Sequence, residues 1–238
     1  MIIINKKRVY TIFLCLLISV MCFEFQGSGI SDIKTVKTVA LPAENRTIII
    51  DAGHGIPDEG ASTKDNVTEA GINLKIALKV QKLLEEAGSK VILTRSDEKG
   101  IYDVNAKTIR EKKVSDLKNR VKIGNESGAD VLVSIHLNKI PQEQYWGWQT
   151  FFKEGNENSK KLAENIQEGL NSSIQKENKR VPLKINNIYL MDHVEIPTSI
   201  VECGFLSNEE EKNLLQTNEY QDKLAWGIYV GIMNYFLE

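Results

Sequence analysis

From Thr47 onward, short apolar runs alternate with segments whose apolar residues recur every three or four positions. Thr47-Ile48-Ile49-Ile50, Val91-Ile92-Leu93-Thr94 and Val131-Leu132-Val133-Ser134-Ile135 read as strands buried on both faces. Between the first two, Leu74, Ala77, Leu78, Leu83 and Leu84 fall at helical spacing, with Asn73 as the expected N-cap and Gly88 as the stop. A second helix is expected to open at Ser115 or Asp116, run through Leu117, Val121 and Ile123, and end near Gly128. Residues 99–114 have a weaker pattern and read as an inserted loop. Further strands are predicted over 147–152, 188–191 and 198–201, and further helices over 159–174, 209–216 and 220–236. Strands alternating with helices predict an α/β fold: a single domain whose mostly parallel or mixed central sheet carries helices on both faces.

The first residues have another character. Lys6-Lys7-Arg8 precedes an uncharged apolar run over 9–23, closed by Glu24. Fifteen helical residues span only about 22 Å, against roughly 30 Å of bilayer hydrocarbon, so the pattern reads as an export signal. Residues 1–29 are therefore expected to be a signal peptide or N-terminal anchor, and the polar stretch 30–46 a linker. Without residues 1–29 the net charge moves from -2 to -4, because three basic residues leave with Glu24. Such a balance argues against nucleic acid as a partner, and a hydrophobic fraction of 42% argues against wholesale disorder. Cys15 and Cys22 lie in the apolar run, leaving Cys203 alone beyond it, so stability must come from the core.

Candidate chemistry collects at predicted strand ends, where open α/β sheets place their ligands. Asp51 and His54 follow the first strand in Asp51-Ala52-Gly53-His54-Gly55; His136 ends the third; Glu202 follows Ser199-Ile200-Val201. Read singly, each has an ordinary explanation. His54 would be a polar turn, His136 a satisfied core histidine, and Glu69 a first-turn carboxylate favoured by the helix dipole. Glu202 is harder to place, because a carboxylate among apolar residues needs a partner or a function. Together, two histidines and a carboxylate make a three-ligand zinc set that leaves one position open to water, while a further carboxylate can move the proton.

Four segments then occur in order: Asp-x-Gly-His-Gly at 51–55, Glu69 followed by Gly71-Ile72-Asn73-Leu74, Ser134-Ile135-His136-Leu137-Asn138, and Val201-Glu202-Cys203-Gly204-Phe205-Leu206-Ser207-Asn208. Together they resemble the zinc-dependent N-acetylmuramoyl-L-alanine amidases of the amidase 3 family, over nearly all of residues 47–238. The cysteine after Glu202 and the N-terminal signal resemble the germination-specific spore cortex branch. The resemblance implies a zinc amidase domain over 47–238, with His54, Glu69 and His136 holding one Zn2+ per chain and Glu202 catalytic. It implies peptidoglycan as substrate, cleaved between N-acetylmuramic acid and L-alanine, and a place outside the cytoplasmic membrane, in spore cortex maturation that leads to muramic δ-lactam. Membrane contact is expected only through the N-terminal segment. With no wall-binding repeat in the sequence, targeting falls to that segment or to an accessory protein.

Around this set, Asp51 and Asn138 are read as supporting the ligands or touching substrate, with a cap on the strand-to-loop turn as the other reading of Asp51; Arg95 and Arg120 could grip substrate carboxylates but read first as structural salt-bridge partners. His193 reads as structural, Tyr145, Trp146 and Trp148 as packing aromatics, and Cys203 as a packing thiol. Two other readings remain open at this point: a zinc peptidase of related α/β fold, and a non-catalytic cell-wall binding module.

Overall fold

The structure, a computed structural model, describes residues 41–237; the expectations for 1–29 and for most of the linker lie outside them. Its elements are β1 (Thr47–Ala52), α1 (Glu69–Glu86), β2 (Lys90–Leu93), α2 (Ile109–Glu126), β3 (Val131–Asn138), β4 (Gln149–Lys153), α3 (Glu157–Ser173), β5 (Leu183–Ile185), α4 (Tyr189–His193), β6 (Thr198–Phe205), α5 (Glu209–Leu215) and α6 (Asn218–Leu237). Six strands form one sheet in the order β2-β1-β3-β6-β4-β5. β2, β1, β3 and β6 run parallel, whereas β4 is antiparallel to β6 and carries β5 along its other edge. This is the mixed α/β sheet that the apolar runs predict. The chain leaves β1 for β2 and returns on the other side as β3, so the carboxyl ends of β1 and β3 flank a topological switch point.

Alternate residues of the central strands enter two different cores, as the period of two requires. Ile48, Ile50, Val131 and Val133 pack with Ile76, Val80 and Leu84 of α1, Leu162, Ile166 and Leu170 of α3, and Leu224, Ile228 and Ile232 of α6. Ile49 and Leu132 point the other way, into a smaller cluster with Ala129, Leu190 and Val194, bordered by Val121 and Ile123 of α2. On the larger side α3 and α6 approach backbone to backbone: a Cβ on Gly231 would stand 2.3 Å from Ile166 Cα. The smaller side is thinly covered, which leaves the carboxyl ends of the strands open to a cleft. Among the described residues no helix is long and apolar enough to cross a membrane.

Local structure departs from the sequence reading in several places. α1 begins at Glu69, not at Asn73; the cap is Thr68, whose hydroxyl accepts from Gly71 N at 3.3 Å. Asn73 is instead a buried helical residue. α2 starts six residues ahead of the expected opening, on a capping box of Thr108 and Glu111, so 109–114 is helix and not loop. The apolar pattern is faint there because Ile109 and Val114 are 61% and 47% exposed, while the buried positions of α2 are Arg120 and Gly124. Residues 189–193 form the short α4, and the sheet edge is the three-residue β5, in place of a strand over 188–191. At the other end, residues 41–46 form a turn that buries Ala43, whose carbonyl accepts from Ser89 Oγ at 2.8 Å.

Candidate active site

Beyond β1 the chain turns sharply, and His54 takes a φ of 62°, unusual for a residue with a Cβ. Two buried arginines hold this turn from beneath. Arg95 donates to the carbonyls of Ala52 (2.9 Å), Gly53 (3.0 Å) and Ala70 (2.8 Å). Arg120 donates to those of Ala52 (2.8 Å) and His54 (2.5 Å). The charge of Arg120 is met by Asp51 and by Asp116 Oδ2 at 2.6 Å. Asp51 also accepts from Thr94 Oγ1 at 2.7 Å and Ser134 Oγ at 2.5 Å. Burial alone would raise the Asp51 carboxyl, but Arg120, Ser134 and Thr94 outweigh it and hold the group at about 2. Both guanidiniums thus spend donors on backbone carbonyls, and their role is to shape the loop.

Above this floor three side chains converge. His54 Nε2 lies 3.3 Å and His136 Nδ1 3.0 Å from the same oxygen of Glu69, Oε1. The two rings stand 5.0 Å apart at 77°. His136 comes from β3, whose apolar residues lock it in register; Glu69 comes from the first turn of α1. Glu69 is held by groups that are not ligands: Leu137 N at 3.0 Å, Ala61 N at 2.8 Å and Asn73 Nδ2 at 3.4 Å. A Cβ on Gly53 would stand 2.4 Å from the His136 ring, and one on Gly60 would stand 2.6 Å from both Glu69 Oε2 and His54. Only glycine leaves this space clear.

The electrostatics match the geometry. Burial pulls His54 down, but hydrogen bonds and charges from Asp58 and Glu69 raise it to about 9. Burial raises Glu69, while His136 and His54 hold it well below the usual carboxylate range. One candidate ligand atom from each of His54, Glu69 and His136 lies within 4.8 Å of the others. Two imidazoles and one carboxylate, already aimed at a common point, fit the donor set of a catalytic zinc.

Glu202 lies beside His136 in the parallel pairing of β3 and β6. Its Oε2 is buried with no hydrogen-bond partner among the described residues. Burial and the nearby Glu69 charge raise its carboxyl, against the pull of His136 and His54, to about 7. A cleft of about 430 Å³ is lined by His54, His136 and Glu202. Asp58, Lys113 and Asn138 add polar lining, and Phe151, Ile185, Ile188, Leu190 and Ile200 an apolar surface.

Other sequence candidates lie elsewhere. Cys203 is fully buried and burial pushes its thiol far up, so it is a packing thiol. His193 is exposed and stacks on Tyr189 with ring centroids 4.1 Å apart. Trp148 is buried and donates to Asn171 Oδ1 at 2.8 Å; Trp146 packs against it and under Lys176. Asp51 hydrogen-bonds to neither imidazole; besides Glu69, the carboxylate that meets His54 is Asp58, whose Oδ2 is 3.1 Å from Nδ1. Sequence reasoning passed over Asp58 because it stands in a Gly- and Pro-containing loop. Its spacing of four residues after His54 was the available signal.

An α/β domain that gathers two histidines and a glutamate at the switch point of its sheet, with an unpaired carboxylate beside them, has the build of a hydrolase able to hold a divalent metal. Residues 48–234 match the family described as N-acetylmuramoyl-L-alanine amidase, and the chain belongs to that family. It is 38% identical to the germination-specific N-acetylmuramoyl-L-alanine amidase of Bacillus subtilis, over 85% of this chain and 84% of that one. The CwlD amidase of Clostridioides difficile, solved in complex with the GerS lipoprotein, is 47% identical, with a TM-score of 0.78 over 80% of this chain and 98% of that one. A second N-acetylmuramoyl-L-alanine amidase from Clostridium difficile 630 is 32% identical, with a TM-score of 0.70 over 81% and 97%. The chain is accordingly an amidase of this class, which sets aside the peptidase and binding-module readings.

Proposed function

We propose that the chain is a zinc-dependent amidase that cleaves the bond between the lactyl group of N-acetylmuramic acid and L-alanine in spore cortex peptidoglycan, leaving muramic acid free for δ-lactam formation by another enzyme. The observation that carries this reading is the converged His54/Glu69/His136 donor set, whose two histidines share one cleft with Glu202, a half-buried carboxylate with an enclosed and unpartnered Oε2. His54, Glu69 and His136 would hold the ion. Bound zinc would supply a Lewis acid that polarises the scissile carbonyl and lowers the pKa of the attacking water.

Glu202 takes the proton from that water and returns it to the L-alanine nitrogen as the amide breaks. Its enclosed Oε2 has no hydrogen-bond partner among the described residues, which leaves the carboxylate free to accept the proton and to release it. Phe151, Ile185, Ile188 and Ile200 give the cleft an apolar wall suited to the methyl groups on either side of the amide.

Relatives named as a germination-specific amidase and as probable cell wall amidases support action outside the cytoplasmic membrane, reached through the N-terminal segment. The CwlD relative's complex with a lipoprotein supports an accessory protein for this chain too. The test is product analysis: zinc-loaded protein is incubated with purified cortex peptidoglycan and the products are read by mass spectrometry. Release of intact peptides beginning with L-alanine is expected. New reducing sugar ends, or cuts within the stem peptide, would refute the assignment.

A further inference from the structure

We propose that Asp58 is the positioning residue for the His54 imidazole, and that Lys113 in turn sets Asp58. The proposal rests on the zinc reading of the site. The two candidate histidines are fixed by different means. His136 belongs to a buried strand, and its ring is pressed against Gly53 so closely that a methyl group would not fit. His54 sits on a loop at positive φ, between two glycines, outside the strand pairing; its ring lies close over Gly60, but that contact bears on one edge of the ring and leaves Nδ1 to be fixed by a polar partner.

Asp58 supplies what the loop lacks. With Nδ1 donating to Asp58 Oδ2 at 3.1 Å, it is Nε2 that faces the common point of the donor set and that would offer its lone pair to an ion once its own proton leaves. Asp58 is itself tied down three ways. Its backbone pairs with Gly55 in both directions, N to O at 2.9 Å and O from N at 2.8 Å. Its Oδ1 accepts from Gly60 N at 3.4 Å and from Lys113 Nζ at 2.8 Å. Lys113 stands on α2, so the chain Lys113–Asp58–His54 fastens the loop to an element remote in sequence. Among the described residues, no other carboxylate outside the donor set hydrogen-bonds to either site imidazole.

Two measurements test the proposal. Zinc affinity, by competition with a chelator, is expected to fall roughly 10- to 100-fold in Asp58→Ala, the range typical of outer-shell partners. Asp58→Asn should recover part of the loss, because its carbonyl oxygen still accepts from Nδ1, and Lys113→Ala should fall less than Asp58→Ala. Carbon-13 relaxation at His54 Cε1, in zinc-free protein, should report a rigid ring in the wild type and a mobile one in Asp58→Ala. Far-UV circular dichroism shows that the variants are folded. Zinc affinity within twofold of wild type in folded Asp58→Ala, or an unchanged ring order, overturns the proposal. Absence of zinc binding by the wild type, or its survival in His54→Ala, would instead overturn the zinc reading, and ring order would still decide the role of Asp58.

Discussion

Replacing Asp51 by Asn tests the floor of the site. Asp51 is 1% exposed and shares its oxygens among Arg120, Thr94 and Ser134. Its carboxyl titrates at about 2 in the fold against 3.8 in an unstructured chain. That difference corresponds to about 2 kcal/mol of stability at neutral pH. The substitution costs more than this, because Arg120 is left buried with Asp116 as its remaining counter-charge; breaking such a pair typically costs roughly 3–5 kcal/mol. The sign of the pH dependence also follows. A carboxyl lowered in the fold stabilises above its unfolded value, and that stabilisation is lost as pH falls from about 4 through about 2. Urea unfolding of both proteins at pH 7, and over a series down to pH 2, measures both effects. The variant should unfold at lower urea and show a shallower acid dependence than the wild type. A loss below about 1 kcal/mol, or identical acid slopes, would refute the claim that Asp51 anchors the loop through Arg120.

Other outcomes follow from the same geometry. Glu202→Gln should lower turnover by roughly 10²- to 10⁴-fold with zinc content unchanged, read by product release and elemental analysis; retained turnover would remove Glu202 from its assigned role. Gly53→Ala places a methyl 2.4 Å from the His136 ring, and the displacement should cost roughly 1–3 kcal/mol of zinc binding, measured by chelator competition. Cys203, buried and with its thiol pushed far up, should resist alkylation in the native protein and react once unfolded, as peptide mapping would show. Labelling of native Cys203 would contradict its packing role.

The sequence reading recovered the elements that carry strong patterns. Ile48–Ile50 and Val131–Val133 are continuous apolar runs because both faces of the sheet are covered, and they stand as the neighbours β1 and β3. It faltered where burial is not apolar. α2 turns Arg120 and Gly124 inward and leaves Ile109 and Val114 exposed, so its first turns gave no helical signal. The edge of the sheet was displaced because β5 is only three residues long, too short for an alternation to register.

For the site, the sequence by itself determined the kinds of group present and their neighbourhoods: His54 just after β1, His136 and Glu202 after apolar runs that the structure extends past them as β3 and β6, and Glu69 ahead of the expected helix, in what proves to be the first turn of α1. These follow from short-range rules, since apolar runs and turn residues act over a few positions. The partners were decided by tertiary structure alone. Asp51 reaches Arg120 and not an imidazole, Asp58 takes the histidine, and Lys113 crosses from α2 to hold Asp58. Hydrogen bonds form between atoms about 3 Å apart, and only the packing of β1, β3, α1 and α2 brings these distant residues to that distance.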